Sequence, residues 1–239
     1  PNVVTEVSAA FGWRAGYWTI GSLAMLAAPI VWFGFGPAER RATAAASTAG
    51  PKTGLSLAEA RNTKAFWFAT ILSVSMALGV GGMIVHLIPM FQDLGADAKA
   101  AAQLASVIGV ASSIGRLTIG FCLDRFAAPA VSVTVLALGM VGIAILGLGD
   151  LSYGIVAVAL IGLLLGAELD LLAYMTSRLF GQKTFGAIYG WFYSMYSLGF
   201  GLSPFLIGRS RDMFGSYDYA LGGSIICLLF AIISVFGLR

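Results

Sequence analysis

Two long apolar runs joined by almost nothing constrain this chain most. Residues 100–123 and 130–149 are each rich in Ala, Val, Ile, Leu and Gly, and a bilayer takes about 20 apolar residues per helix. So short a link forces a membrane hairpin. The first run closes on Gly120-x-x-x-Asp124-Arg125, with the charged pair standing where a helix leaves the lipid and Gly120 free to let another helix come close. Arg116 lies inside that run, about eight residues before Asp124, so roughly 12 Å deeper at 1.5 Å per residue.

Composition extends the reading to the whole chain. Of 239 residues 59% are hydrophobic and 10% charged, against about 25% charged in a soluble domain. Such a chain cannot cover a water-facing surface, so an all-α membrane protein is expected, because lone strands leave their backbone unsatisfied in lipid. The net charge of +3 is no argument for a nucleic-acid partner. Cys122 and Cys227 both sit in apolar runs, with no metal-ligand or disulfide spacing.

About seven membrane helices are predicted, near residues 17–35, 65–91, 100–123, 130–149, 153–175, 187–207 and 219–238. Residues 36–55, with Pro37, Arg40, Arg41, Gly50, Pro51 and Lys52, read as a flexible polar linker, and residues 55–61 as a short surface helix. The domains expected are residues 1–35 (an outer loop and one helix), 36–64 (a cytoplasmic linker) and 65–239 (a six-helix bundle). Arg40, Arg41, Lys52, Arg61, Lys64, Arg125, Arg178, Lys183 and Arg239 fall on one side of this topology, and Arg14, Lys99, Arg209 and Arg211 on the other. The basic excess marks the first side as cytoplasmic. Gly162-x-x-x-Gly166 and Gly186-x-x-x-Gly190 are spacings that let helices approach closely. The chain starts at Pro1, without a signal peptide, and reads as a piece of a longer protein.

The Gly120-x-x-x-Asp124-Arg125 turn between two spans resembles the signature between the second and third helices of each half of the major facilitator superfamily. The later basic positions of that signature are Ala127, Ala128 and Pro129 here. The runs Gly166-Ala-Glu-Leu-Asp-Leu-Leu-Ala-Tyr-Met-Thr-Ser-Arg-Leu-Phe-Gly181, Phe185-Gly-Ala-Ile-Tyr-Gly190 and Arg211-Asp-Met-Phe-Gly-Ser-Tyr217 are similar to bacterial members related to monocarboxylate transporters and oxalate/formate exchangers. The resemblance implies the sixth helix, central loop and whole C-terminal half of a secondary transporter, in a cell membrane such as the bacterial inner membrane. Its partners would be a small-molecule substrate, the lipid bilayer and the N-terminal half of the same transporter. It also implies that Arg116 contacts a substrate carboxylate. Ser112 stands where animal monocarboxylate carriers have an aspartate used in proton coupling, and residues 187–207 hold no lysine like that of the dicarboxylate exchangers. Neither mechanism carries over.

Read from the residues themselves, a charge near mid-membrane is costly and marks a functional group by default. Arg116 either binds an organic anion through its planar fork or serves as a structural ion pair. Glu168 and Asp170 are candidates for counter-ion or proton carrier, and at i, i+2 they point to different faces; Tyr174 shares a face with Asp170. His86 is a candidate proton relay or a plain interfacial histidine. Tyr193 and Tyr196 are candidate substrate-cavity residues. Gly120, Asp124, Arg125 and Arg178 are expected to form a gating latch. No catalytic triad, metal cluster, P-loop or dinucleotide fingerprint appears, so neither an enzyme nor a cofactor is expected. A secondary transporter of a small organic anion is the leading reading. A drug or neutral-solute exporter, or a non-transporting scaffold or receptor, is the alternative.

Overall fold

The computed structural model describes residues 2–48 and 53–238; Pro1, residues 49–52 of the expected linker and Arg239 lie outside the described residues. Helices dominate, with no strand among the described residues. The chain divides into two compact units, Pro1–Lys52 and Thr53–Arg239.

In the first unit α1 (Asn2–Phe11) turns at Gly12, whose φ of 84° favours a residue without Cβ, into α2 (Trp13–Thr48). α2 differs from expectation. Helix continues beyond residue 35 through Gly36 and Pro37 to Thr48, where a flexible linker was expected. Ala42, Ala44, Ala45 and Ala46 are strong helix formers and carry the helix onward.

The second unit holds α3 (Leu57–Arg61), α4 (Lys64–Val80), α5 (Met83–Asp93), α6 (Ala98–Arg125), α7 (Ala128–Leu146), α8 (Gly154–Phe180), α9 (Phe185–Phe214) and α10 (Asp218–Phe236). The starts of α3, α4 and α6 are capped by the side chains of Ser56, Thr63 and Asp97, which satisfy orphan amide groups. Ser56 and Glu59 make a reciprocal capping box, and Asp97 accepts from the Ala100 amide at 2.6 Å. The Ser56 bonds hold the Glu59 carboxyl below its ordinary pKa. Six described stretches are long and apolar enough to span a bilayer: Trp13–Phe33, Lys64–Asp93, Ala98–Arg125, Ala128–Leu146, Leu151–Phe180 and Asp218–Phe236. α9 has 30 residues, ample length, but its tyrosines, serines and glycines lower its hydropathy.

The Lys64–Asp93 stretch is broken between α4 and α5 at Gly81-Gly82. Ser203 of α9 repairs the break, accepting from the Gly82 amide and donating to the Leu78 carbonyl, each at 2.8 Å. A side chain at Gly82 would collide with Ser203 and Ile207, so the glycine sets how close α9 can lie. α8 is the central post. Side chains at Gly162 and Gly166 would strike Ala111, Ile108 and the Ser112 carbonyl of α6. This is the close approach that their spacing predicts. The other spacing behaves differently: Gly186 and Gly190 have nothing within 4 Å of where a Cβ would sit. Neither has Gly120, so the close contact expected of it is not made among the described residues.

The chain entering the bundle is clipped to the turn between α8 and α9. The Leu55 amide donates to the Phe180 carbonyl at 2.9 Å, and the Gln182 amide to the Thr53 carbonyl at 2.9 Å. Gly54 and Gly181 face each other there at φ 138° and 77°, where any side chain would hit the opposing backbone.

Candidate functional site

The seam between α6 and α8 sets the site. Because glycines bring the two backbones together at Ser112 and Leu163, long side chains just beyond the contact meet across its edge. Arg116 Nε lies 3.6 Å from Asp170 Oδ2, with the two side chains 61% and 46% exposed. The remaining guanidinium nitrogens of Arg116 make no hydrogen bond among the described residues. Ser112, Ser113, Arg116 and Leu117 line an open hollow of about 290 Å3. Both serine hydroxyls turn back to the Gly109 carbonyl, at 3.0 and 2.9 Å. The hollow therefore offers one cation, already loosely partnered by one carboxylate.

Glu168 sits two residues earlier on α8 and faces the other way. It is fully buried. The Tyr196 hydroxyl of α9 donates to its Oε2 at 2.6 Å, and Oε1 has no hydrogen-bond partner among the described residues. Of the two carboxylates expected to neutralise Arg116, Asp170 is the one that meets it.

Tyr196 belongs to a ladder of rings along α9. Phe185–Tyr189, Tyr189–Tyr193, Tyr193–Tyr196 and Tyr196–Phe200 have centroids 5.5, 6.2, 6.4 and 5.7 Å apart. The ladder and Glu168 thus form one polar and aromatic path between α9 and α8, and Arg116 with Asp170 forms a separate ion pair at the edge of α6. Tyr193 is 46% exposed and can meet a solute, whereas Tyr196 is 7% exposed and its hydroxyl is committed to Glu168.

The expected latch is arranged otherwise. Asp124 forms no ion pair with Arg178 among the described residues. Arg178 Nε donates to the Tyr174 hydroxyl at 3.2 Å and lies over that ring, and the hydroxyl donates to the Leu123 carbonyl at 3.2 Å. Tyr174 therefore engages Arg178 and the backbone of α6, not Asp170. Arg125 folds over Phe121 at 4.7 Å.

His86 lies far from this path, at the end of the bundle opposite Arg125. Its ring nitrogens contact the Tyr217 hydroxyl at 3.3 Å and the Pro204 carbonyl at 3.1 Å. Arg211 bridges to Asp93 at 2.9 Å and lies over Tyr217. Burial, and the Asp93 carboxylate beside it, push the Tyr217 phenol above its ordinary pKa. This network ties α5 to α9; sequence reasoning missed it because its members are about 120 residues apart. No group of three or more His, Cys, Asp or Glu residues among the described ones could hold a metal ion.

Comparison with known proteins bears on the fold and the family. The human protein "Monocarboxylate transporter 12" is 30% identical over 158 residues, which are 63% of this chain and 31% of that protein. Crystal structures of FucP, one in the outward conformation and one of a variant of the E. coli fucose:proton symporter, superpose with TM-scores of 0.63 and 0.66. They share 19% and 18% identity, cover 73% and 77% of this chain, and are themselves covered to 42% and 46%. The chain therefore spans less than half the length of these relatives, and the FucP likeness concerns the fold alone. The family profile of the Major Facilitator Superfamily matches residues 3–204, and with its multi-pass helical bundle the chain belongs to that superfamily.

Proposed function

We propose that this chain is the C-terminal portion of a secondary transporter that carries a small organic anion, such as a monocarboxylate, by alternating access. One observation carries the reading: Arg116 stands in an open hollow beside the α6–α8 seam, held by Asp170 through a single long contact. An arginine fork with free nitrogens grips a carboxylate with two parallel hydrogen bonds. Asp170 keeps the cation compensated when no cargo is bound, and a substrate carboxylate competes with it. Tyr193 offers its ring to the body of the solute. The other wall of the site would come from an N-terminal half, against which the exposed face of α6 would rock. The relative named as a monocarboxylate transporter supports the substrate class. The setting would be a cell membrane, such as a bacterial inner membrane.

The test is counterflow uptake of labelled acetate, lactate and succinate by the full-length transporter in vesicles. Uptake of the monoanions, lost in Arg116→Lys, is the expected result. A neutral-solute exporter is the second reading, favoured by the Arg116–Asp170 pair itself, which leaves the hollow without net charge. On that reading none of the three anions is carried, and neutral solutes of similar size are.

A further inference from the structure

A second cavity lies on a different face of the bundle. α6 and α7 are joined by two residues, Phe126 and Ala127, yet each packs on α8 rather than on the other. Gly115 of α6 sets that approach at Leu163, and Gly139 and Gly142 of α7 set it at Leu164, Ala157 and Ile161. The two helices therefore splay from their shared turn, with Leu163 and Ala167 of α8 showing between them as a floor. The cleft has a volume of about 390 Å3 and reaches from Phe126 and Ala130 at the turn to Gly115 and Leu138.

Three properties fix its occupant. The lining is mostly apolar: Cys122 and two threonines, Thr118 and Thr134, are its polar side chains, and the Thr118 hydroxyl is spent on the Ile114 carbonyl at 2.8 Å. From Gly115 to Phe126 is about eleven residues, roughly 16 Å at 1.5 Å per residue, which is half of a hydrocarbon core about 30 Å thick. A helix about 10 Å across would occupy roughly 1,250 Å3 over the same 16 Å, far more than the cleft's volume of about 390 Å3, whereas a stretch of one hydrocarbon chain fits. Arg125, one residue before Phe126 at the end of the cleft, is exposed, forms no ion pair among the described residues and rests on Phe121. Arg116 follows Gly115 by about 100° around the helix, so the cargo hollow is not part of this cleft.

We propose that the cleft between α6 and α7 holds one acyl chain of a membrane phospholipid, drawn from the leaflet that Arg125 borders, with the lipid phosphate at Arg125. The site is independent of which solute is carried.

The experiment places the full-length protein in vesicles of phosphatidylethanolamine and phosphatidylglycerol. A trace of phosphatidylglycerol or phosphatidylcholine carries a photoreactive group within one acyl chain. After illumination, adducts are mapped by peptide mass spectrometry. Adducts concentrated on the Cys122 and Thr134 peptides, above those on the exposed face of α10, are expected. Thr134→Phe fills the cleft and should bring them down to the α10 level with the thermal unfolding midpoint retained; Ala130→Leu is the milder filling if the first variant does not fold. Arg125→Gln should lower phosphatidylglycerol labelling about fivefold, equivalent to the ~1 kcal/mol per basic residue at an anionic surface, and lower phosphatidylcholine labelling too, by less, because its choline offsets the phosphate charge. Labelling spread evenly over all lipid-facing helices overturns the site, as does labelling that survives both fillings. Cys122 cross-links between copies of the protein in place of lipid adducts overturn it too. Labelling by both probes that is unchanged in Arg125→Gln overturns the assignment of the phosphate.

Discussion

Glu168 and Asp170 are two residues apart on one helix and have opposite surroundings. Asp170 is 46% exposed at its side chain, at the edge of α6, and answers a cation. Glu168 is fully buried against α9 and answers a tyrosine. The step between them is about 200° around the helix, so face, not depth, decides what each carboxyl can do. The exposed one can trade partners with a solute. The buried one ties α8 to α9 through Tyr196.

Removing the seam that creates the exposed side should have the largest effect. Gly166→Leu would drive a side chain into the Ser112 backbone, an overpacking of about 3 kcal/mol or more. It should part α6 from α8 and abolish recovery of folded protein, read by size-exclusion profiles of a fluorescent fusion. Next comes the buried side. Glu168→Ala leaves a cavity and an unsatisfied Tyr196 hydroxyl, about 3 kcal/mol, whereas Glu168→Gln keeps an acceptor for Tyr196 and should cost less than about 1.5 kcal/mol. Thermal unfolding in detergent separates the two; equal losses would mean that the hydroxyl contact contributes nothing.

Asp170→Asn should change stability by less than about 1 kcal/mol, because ion pairs this exposed are worth little. Its effect belongs in binding: with the competitor gone, a monocarboxylate should bind several-fold more tightly. Weaker binding would make Asp170 part of the cargo site rather than its rival. The smallest effect concerns Glu59, a wholly surface carboxylate in the capping box of α3. Its pKa in the folded chain is depressed below 4.5, so its contribution is present above that value and is lost as pH falls through the folded pKa. Faster amide exchange in α3 at acid pH, absent in Glu59→Gln, is the expected reading.

The helices were legible in the sequence because lipid demands long apolar runs. Arg116 was legible for the same reason, since a cation within such a run stands out. The Gly162/Gly166 spacing announced a close helix contact but not that α6 is the partner, and Gly115 of α6 belongs to no Gly-x-x-x-Gly pattern. What remained hidden joins residues on different helices. The Glu168–Tyr196 bond and the use of Tyr174 by Leu123 and Arg178 depend on the rotation of each helix, which amphipathic periodicity reports only weakly in spans that are apolar on nearly every side. The extension of α2 past Gly36-Pro37 was hidden differently: polar residues and glycine mark a linker by composition, while the alanines behind them hold helix. The clip of Gly54 on Gly181 needs two glycines about 127 residues apart, neither of which carries a local signal.

The central claim is that Arg116 holds the carboxylate of the cargo while Asp170 only balances it. Equilibrium binding of a labelled monocarboxylate to the purified full-length protein tests it, comparing Arg116→Lys with the double variant Arg116→Gln, Asp170→Asn. The lysine keeps the charge and loses the planar fork, so affinity should fall about tenfold or more. The double variant removes both charges together and should fold normally but bind no anion. Wild-type affinity in the double variant would contradict the account, because binding would then need neither the arginine nor its counter-ion.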